Sequence, residues 1–354
     1  MGVRAYPKNR EEDSDHEGGV DTNWIGRCLE DRYEIGAIIA QTELVAIHEA
    51  TLVDDGTSVL ATVYKGLQVD DDALAVLHGD LGALREVGYK PACGMVQTAE
   101  GFVIFESAPS GSPLPAYLKT TEGISTSDAL VVGGQVLAAL DALHDIGQVS
   151  HSLAPHSIWV DASGERLVCT VTRLGQHSLL GLANAKTRAE GACYAFPSYL
   201  MPEAVSGREL TPASDIYCAG LVLYELLAGR AAFSGDDFKK VARKHALERP
   251  LNPRIVNRQA KLSSELDRAI MKALEKTVKR RHESAMAFFE ALKTSAEGIE
   301  VWSAQTSSTA VASGSDDASA NEVLETLAMG SIASDESEDA SSTPSGVETT
   351  EDAF

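Results

Sequence analysis

Residues 199–233 read YLMPEAVSGRELTPASDIYCAGLVLYELLAGRAAF, and the reading of this stretch decides the fold. Its second half is predicted to be a helix over 214–228. Asp215 stands inside that apolar run, and a buried carboxylate persists only where hydrogen bonds hold it. Downstream, further helices are predicted at 264–275 and 284–294. Upstream, a helix starts near Ser127, with Leu130, Val136, Leu137, Leu140, Leu143 and Ile146 recurring on one face until Gly147 ends it. Before that the periodicity changes. YEIGAII, LVAIHEATLV, SVLATVY and FVIFE read as short strands between Tyr33 and Glu106, with DDGT turning the chain between the second and third and one helix near Asp72–Val87. A small antiparallel sheet followed by a helical lobe is an α+β arrangement.

The composition bounds the rest. At 354 residues and 44% hydrophobic content there is material for one large or two modest packed domains. The purely apolar runs are far shorter than the ~18–20 residues needed to cross a bilayer. The opening MGVRAYPKNREEDSD puts charges where a secretory signal needs an apolar stretch, and Tyr6 stands where a myristoylation signal needs Ser or Thr. A cytoplasmic location without membrane contact is therefore expected. A net charge of −22 argues against binding nucleic acid or anionic lipid non-specifically. The five cysteines lie far apart with no CxxC pair, which suggests reduced and mostly buried thiols. From Val301 to Phe354 there are eleven Asp and Glu and no Lys or Arg, among Ser, Thr and Ala. That composition cannot bury enough apolar surface to order itself. The island NEVLETLAMGSIA (321–333) is the one docking candidate there.

The order of elements and several local strings resemble the bacterial serine/threonine protein kinase family over about residues 25–295. GRCLEDRYEI resembles the lead-in to that domain's first strand, residues 199–233 its stretch around the APE motif and the following buried helix, and LEKTVKRRHESAMAFFEAL its closing helix pair. The resemblance implies a bilobal fold, a small antiparallel β lobe over 25–107 and a larger helical lobe over 108–296. A flexible segment (1–24) and a disordered acidic tail (297–354) flank it. It also implies scaffold roles for Glu203 and Arg281 as a buried ion pair, for Asp215 as the holder of the catalytic-loop backbone, and for Gly220 at a close helix contact.

The chemistry of the family is what this chain lacks. Against the catalytic loop HRDLKPxN, the segment SHSLAPHS (150–157) puts Ser152 at the base and Ser157 at a metal ligand, and a hydroxyl can neither act as a carboxylate base nor charge a hard-cation site. The metal-binding DFG motif falls at Arg173, Leu174 and Gly175. VLAT places Thr62 at the phosphate-pairing lysine, with Lys65 on the other face of the strand. The glycine-rich loop aligns as AQTELV, with Ala40, Thr42 and Val45 at the glycine positions. Phe196 replaces the threonine before the APE region, Asp80 is the nearest helix-C acid, and Phe105 aligns with the residue guarding the adenine pocket.

The resemblance therefore implies a pseudokinase, a regulatory or scaffolding module that binds a protein partner such as an active kinase or signalling protein, with no cofactor and no metal. The alternatives are a weakly active or atypical kinase using displaced residues, with ATP and magnesium, or a nucleotide sensor in which Arg173 contacts the anion. His151, Ser152 and His156 could also suggest a Ser/His nucleophile, but no oxyanion-hole glycine string or ordered carboxylate accompanies them. Arg173 could instead be a solvated or salt-bridged side chain at the cleft mouth.

Overall fold

The computed structural model describes residues 22–295, apart from 87–88, 90–91, 177, 182 and 184–194. The leader to Asp21, Cys193, the acidic tail and its island at 321–333 lie outside the described residues. A six-stranded antiparallel sheet comes first, in the order β1 (Cys28–Leu29), β2 (Tyr33–Gln41), β3 (Val45–Leu52), β4 (Ser58–Lys65), β6 (Gly101–Ser107) and β5 (Gly94–Thr98). Helix α1 (Asp71–Glu86) joins β4 to β5.

Strand alternation gives this sheet two different faces. Val59, Ala61 and Val63 of β4 pack with Trp24, Tyr33, Ile35, Val103 and Phe105 on one face. Tyr64 packs with Val45, Ile47, Ile104, Leu77 and Leu81 on the other, which looks toward the helical lobe. Trp24 falls within the segment expected to be flexible, yet it is buried beneath the sheet and Arg27 stacks on its ring. An indole that covers a sheet face removes a large apolar area from water, so order begins before residue 25.

The helical lobe contains α2 (Leu114–Thr120), α3 (Thr126–Asp145) and, at its centre, the helix Pro212–Ala228, whose residues from Ser214 to Ala228 are all buried. Pro212 opens that helix at a position where a missing N–H costs nothing, and Gly229 closes it in the left-handed conformation, its N–H on the Glu225 carbonyl. Ser125 caps α3 by accepting the Asp128 N–H. By length and composition α3 could cross a membrane, but its Leu130, Leu137, Leu140 and Leu143 pack into the core around Leu223. The helices Phe238–Leu247, Pro253–Val256, Ser264–Ala273 and Ala285–Ser295 complete the described lobe.

Several features are not legible in the sequence pattern, among them β1, α2 and the short helices Pro202–Ser206 and Pro253–Val256. A three-stranded sheet of β7 (Ser112–Pro113), β8 (Ile158–Asp161) and β9 (Val168–Val171) sits within the lobe expected to be helical. Strands of two to four residues are too short to display a period. β5 and the helix Phe238–Leu247 also went unread. Of the four described cysteines, Cys169 and Cys218 are buried as expected, but Cys28 and Cys93 are exposed.

Gly220 lies where the central helix crosses Ser264–Ala273, and a Cβ there would stand 2.8 Å from the Ala273 Cβ. Gly220→Ala should gain about 1 kcal/mol of helix propensity and lose about 1–3 kcal/mol to overpacking. A lowered urea midpoint is the expected result, and a variant more stable than the parent would contradict this close contact.

Candidate functional site

The two lobes meet where the hairpin β2–β3, β4 and β6 face the loops 150–157 and 171–176, and this junction is the cleft position of the family. The hairpin turns tightly. Thr42 donates its N–H to the Val45 carbonyl at 2.7 Å, and Thr42 Oγ1 accepts the Val45 N–H at 3.1 Å. Both amides are thus spent within the turn. Ala40 and Val45 are buried, and they join one apolar cluster with Ile47, Leu77 and Leu81 from the sheet side and Ala154, Leu180 and Phe196 from the helical side. His156 stacks on Phe196 with ring centroids 4.6 Å apart. Thr62 stands between Ile47 and Ile104 in the sheet register, buried, and its Oγ1 has no partner among the described residues.

The loop 150–157 is held by the central helix. Asp215 Oδ2 accepts the Ser150 N–H at 2.8 Å and lies 2.9 Å from His144 Nε2. His151 takes a left-handed backbone, φ 59°. Ser152 donates its hydroxyl toward the Ser150 and Arg173 carbonyls, at 3.3 and 3.4 Å, and not to a histidine. Ser157 donates to the Ala154 carbonyl at 2.8 Å and accepts the Ala154 N–H at 3.1 Å. The Thr172 N–H on the Ser157 carbonyl, 2.8 Å, ties this loop to 171–176.

Arg173 is only 1% exposed, which corrects the expectation of a solvated side chain at the cleft mouth. Its backbone is left-handed, φ 64°, and its N–H donates to Glu106 Oε1 at 3.0 Å. Its Nη2 lies 3.5 Å from the Tyr64 hydroxyl, which also bonds Gln176 Oε1. Arg173 Nε, Arg173 Nη1 and Gln176 Nε2 have no partner among the described residues. Gly175, φ 75°, lets α1 approach so closely that a Cβ there would stand 2.4 Å from Leu84 Cδ1. Asp80 lies on that helix, its carbonyl accepting Gln148 Nε2 at 2.8 Å.

Glu106 was not foreseen. Burial pushes its carboxyl up to about 7, opposed by the Arg173 N–H, the Arg173 charge and Tyr89. The same burial raises Tyr64 and Tyr89 above the ordinary phenol range. Phe105, expected to guard the adenine pocket, points to the opposite face of β6 and stacks on Tyr33 with centroids 3.8 Å apart. Two residues from Ile104, Glu106 shares the face of Thr62, so it is Glu106 that looks into the cleft. Only the register reveals this. The one signal in the sequence is a lone carboxylate ending the apolar run FVIFE.

Away from the cleft, Arg281 binds Glu203 in a fork, Nη2 to Oε1 at 2.7 Å and Nη1 to Oε2 at 3.1 Å. It also donates to the carbonyls of Ala213 and Glu275 and lies over the Tyr217 ring. The pair ties the short helix Pro202–Ser206 to the turn before Ala285–Ser295.

An antiparallel β lobe, a helical lobe hung on one buried helix, and a loop fastened by a carboxylate of that helix define the protein kinase fold. The Protein kinase domain family matches residues 92–293, and the chain belongs to it. It is 26% identical over 264 residues to the probable serine/threonine-protein kinase PknB of Lactococcus lactis subsp. lactis (strain IL1403), covering 73% of this chain and 41% of that protein. To the serine/threonine-protein kinase PknA of Mycobacterium tuberculosis (strain ATCC 25177 / H37Ra) it is 27% identical over 242 residues, covering 64% of this chain and 53% of that one. The chain thus spans about half the length of these relatives. Among solved structures, Rad53 1-466 in complex with AMP-PNP superposes with a TM-score of 0.55 at 15% identity, over 74% of this chain and 65% of that one, a likeness of fold.

The family implies ATP and magnesium, and the residues that align with its two magnesium-ligand positions, Ser157 and Arg173, do not fit that ion. A magnesium ion takes oxygen ligands, usually carboxylates and waters. Here one ligand position holds Ser157, its hydroxyl occupied by the Ala154 backbone, and the other holds the cation Arg173.

Proposed function

We propose that this chain is a pseudokinase, a protein-kinase fold that transfers no phosphate and serves in the cytoplasm as a regulatory or scaffolding module for a protein partner. The observation that carries the reading is Arg173. A buried guanidinium stands where the family motif aligns a metal-binding carboxylate, and its own amide is bonded to the buried Glu106. Three further losses support it: Thr62 at the phosphate-pairing lysine, Ser152 at the base, and a hairpin in which the Thr42 and Val45 amides are already bonded. Phosphoryl transfer needs positioning and electrostatic stabilisation together, so no single restoration recovers it. The test supplies labelled ATP, magnesium or manganese and a basic protein substrate to the full chain and to Ser152→Asp. Neither should transfer phosphate above a heat-denatured control. Transfer that a cleft variant abolishes would establish instead the weakly active kinase that the relatives' names suggest.

A second reading has its own observation. Buried N–H donors are rarely left unpaired, and Arg173 Nε, Arg173 Nη1 and Gln176 Nε2 gather around Tyr64 with none. Such a corner suits a phosphate taken without metal, the chemistry of a nucleotide sensor. It predicts a thermal shift with ATP in EDTA that Arg173→Met abolishes. No shift under those conditions excludes this reading.

A further inference from the structure

We infer that the ledge running from the C-terminal end of helix Phe238–Leu247 into the short helix Pro253–Val256 docks an acidic peptide segment carrying apolar anchors. Among the described residues, the three most exposed large apolar side chains are Leu247 at 69%, Leu251 at 61% and Ile255 at 54%. They follow one another at intervals of four residues. The other exposed apolar side chains, such as Ile25, Val76 and Val168, are scattered singly along the chain, which is ordinary for a soluble surface.

The charge around the ledge reverses that of the chain. Residues 239–261 hold eight Lys or Arg and one acid, Glu248, in a protein of net charge −22. Arg249, Arg254 and Arg258 are exposed and make no ion pair among the described residues. The ledge is also rigid. Asn252 Nδ2 bonds Asp267, the Arg254 N–H donates to Asp267 Oδ1 at 3.1 Å, and Asn257 Nδ2 donates to the Leu227 carbonyl at 2.9 Å. A preformed surface loses little entropy when a ligand arrives.

Charge complementarity selects the occupant. Unpaired arginines around aliphatic side chains match Asp and Glu interleaved with Leu, Ile or Met, the pattern by which an amphipathic segment lies along a helical surface. Aliphatic anchors offer a phosphate backbone nothing, whereas they give the apolar side chains of a peptide a surface to cover. The inference goes beyond the reading of the cleft and stands whether or not the cleft transfers phosphate.

The test is fluorescence anisotropy of the full chain with a labelled synthetic peptide of about fifteen residues, built of Asp, Glu and Ser with three leucines four positions apart. Saturable binding is expected, weakening as salt rises from about 50 to about 300 mM. Leu247→Ser with Ile255→Ser, and separately Arg249→Glu with Arg254→Glu, should each weaken it at least about tenfold at an unchanged melting temperature. All four residues are exposed, so the fold should survive. The inference fails if the peptide does not bind, if its leucine-free counterpart binds equally, or if both double variants keep full affinity. Tighter binding of a DNA duplex would make the ledge a nucleic-acid surface. Self-association of the parent that the variants lose would make a second copy the occupant. Either result overturns the proposal.

Discussion

Arg281→Met should lower the free energy of unfolding by about 3–5 kcal/mol, the cost of removing one partner from a buried ion pair. The guanidinium makes two bonds to Glu203 and two to the carbonyls of Ala213 and Glu275, and both charged side chains are buried. Removing it strands the buried Glu203 carboxylate with the Ser214 hydroxyl, 3.3 Å from Oε2, as its remaining donor among the described residues, and takes one donor from each of the two carbonyls. The test is urea denaturation followed by tryptophan fluorescence, to which the buried Trp24 and Trp159 contribute. A second arm separates a lost attraction from a stranded charge. Glu203→Leu combined with Arg281→Met should recover most of the loss, because an apolar pair of similar volume avoids the desolvation penalty. A single variant within about 1 kcal/mol of the parent would show that the pair fastens nothing.

The second large effect depends on pH and falls on Glu106. Its carboxyl titrates near 4.5 when unfolded and at about 7 in the folded protein, because burial disfavours the charged form. Between those values the folded state binds the extra proton, so stability falls as pH rises. The contribution is complete below 4.5 and lost once pH has passed 7. At 1.36 kcal/mol per pH unit this amounts to about 3 kcal/mol. Glu106→Gln keeps an acceptor for the Arg173 N–H and cannot ionise. Its stability relative to the parent should therefore climb by about that amount between pH 4.5 and pH 8 and then level off. A constant difference across that range would mean that Glu106 is not held in a dry site.

Four helices of the large lobe were legible because their apolar side chains recur on one face, while α2, Phe238–Leu247 and the short helices were not. Those predicted at 214–228, 264–275 and 284–294 are observed at Pro212–Ala228, Ser264–Ala273 and Ala285–Ser295. The four long strands were legible by alternation and by the turn at DDGT. What could not be read depends on contacts between distant residues. β7 to β9 are too short to carry a period. The faces of β6 are decided by its register with β4, which moves Phe105 out of the cleft and brings Glu106 in. Arg173 could be aligned to a metal position from the sequence, but its burial, its left-handed backbone and its bond to Glu106 follow from the packing of two lobes. Spacing locates a substituted residue and says nothing of where its side chain goes.

The central claim, that the cleft has given up magnesium-dependent nucleotide chemistry, is tested most directly by titrating the full chain with ATP and magnesium while following its melting temperature. A micromolar ligand has a binding free energy of about −8.2 kcal/mol and a millimolar one about −4.1. The missing lysine, metal ligands and free hairpin amides would each have contributed roughly 1.5–3 kcal/mol. Losing two or three of them carries binding to millimolar or weaker. At about 1 mM nucleotide a micromolar ligand would stabilise the fold by roughly 4 kcal/mol, whereas the account predicts no magnesium-dependent shift. A shift that requires magnesium and disappears on chelation would contradict it.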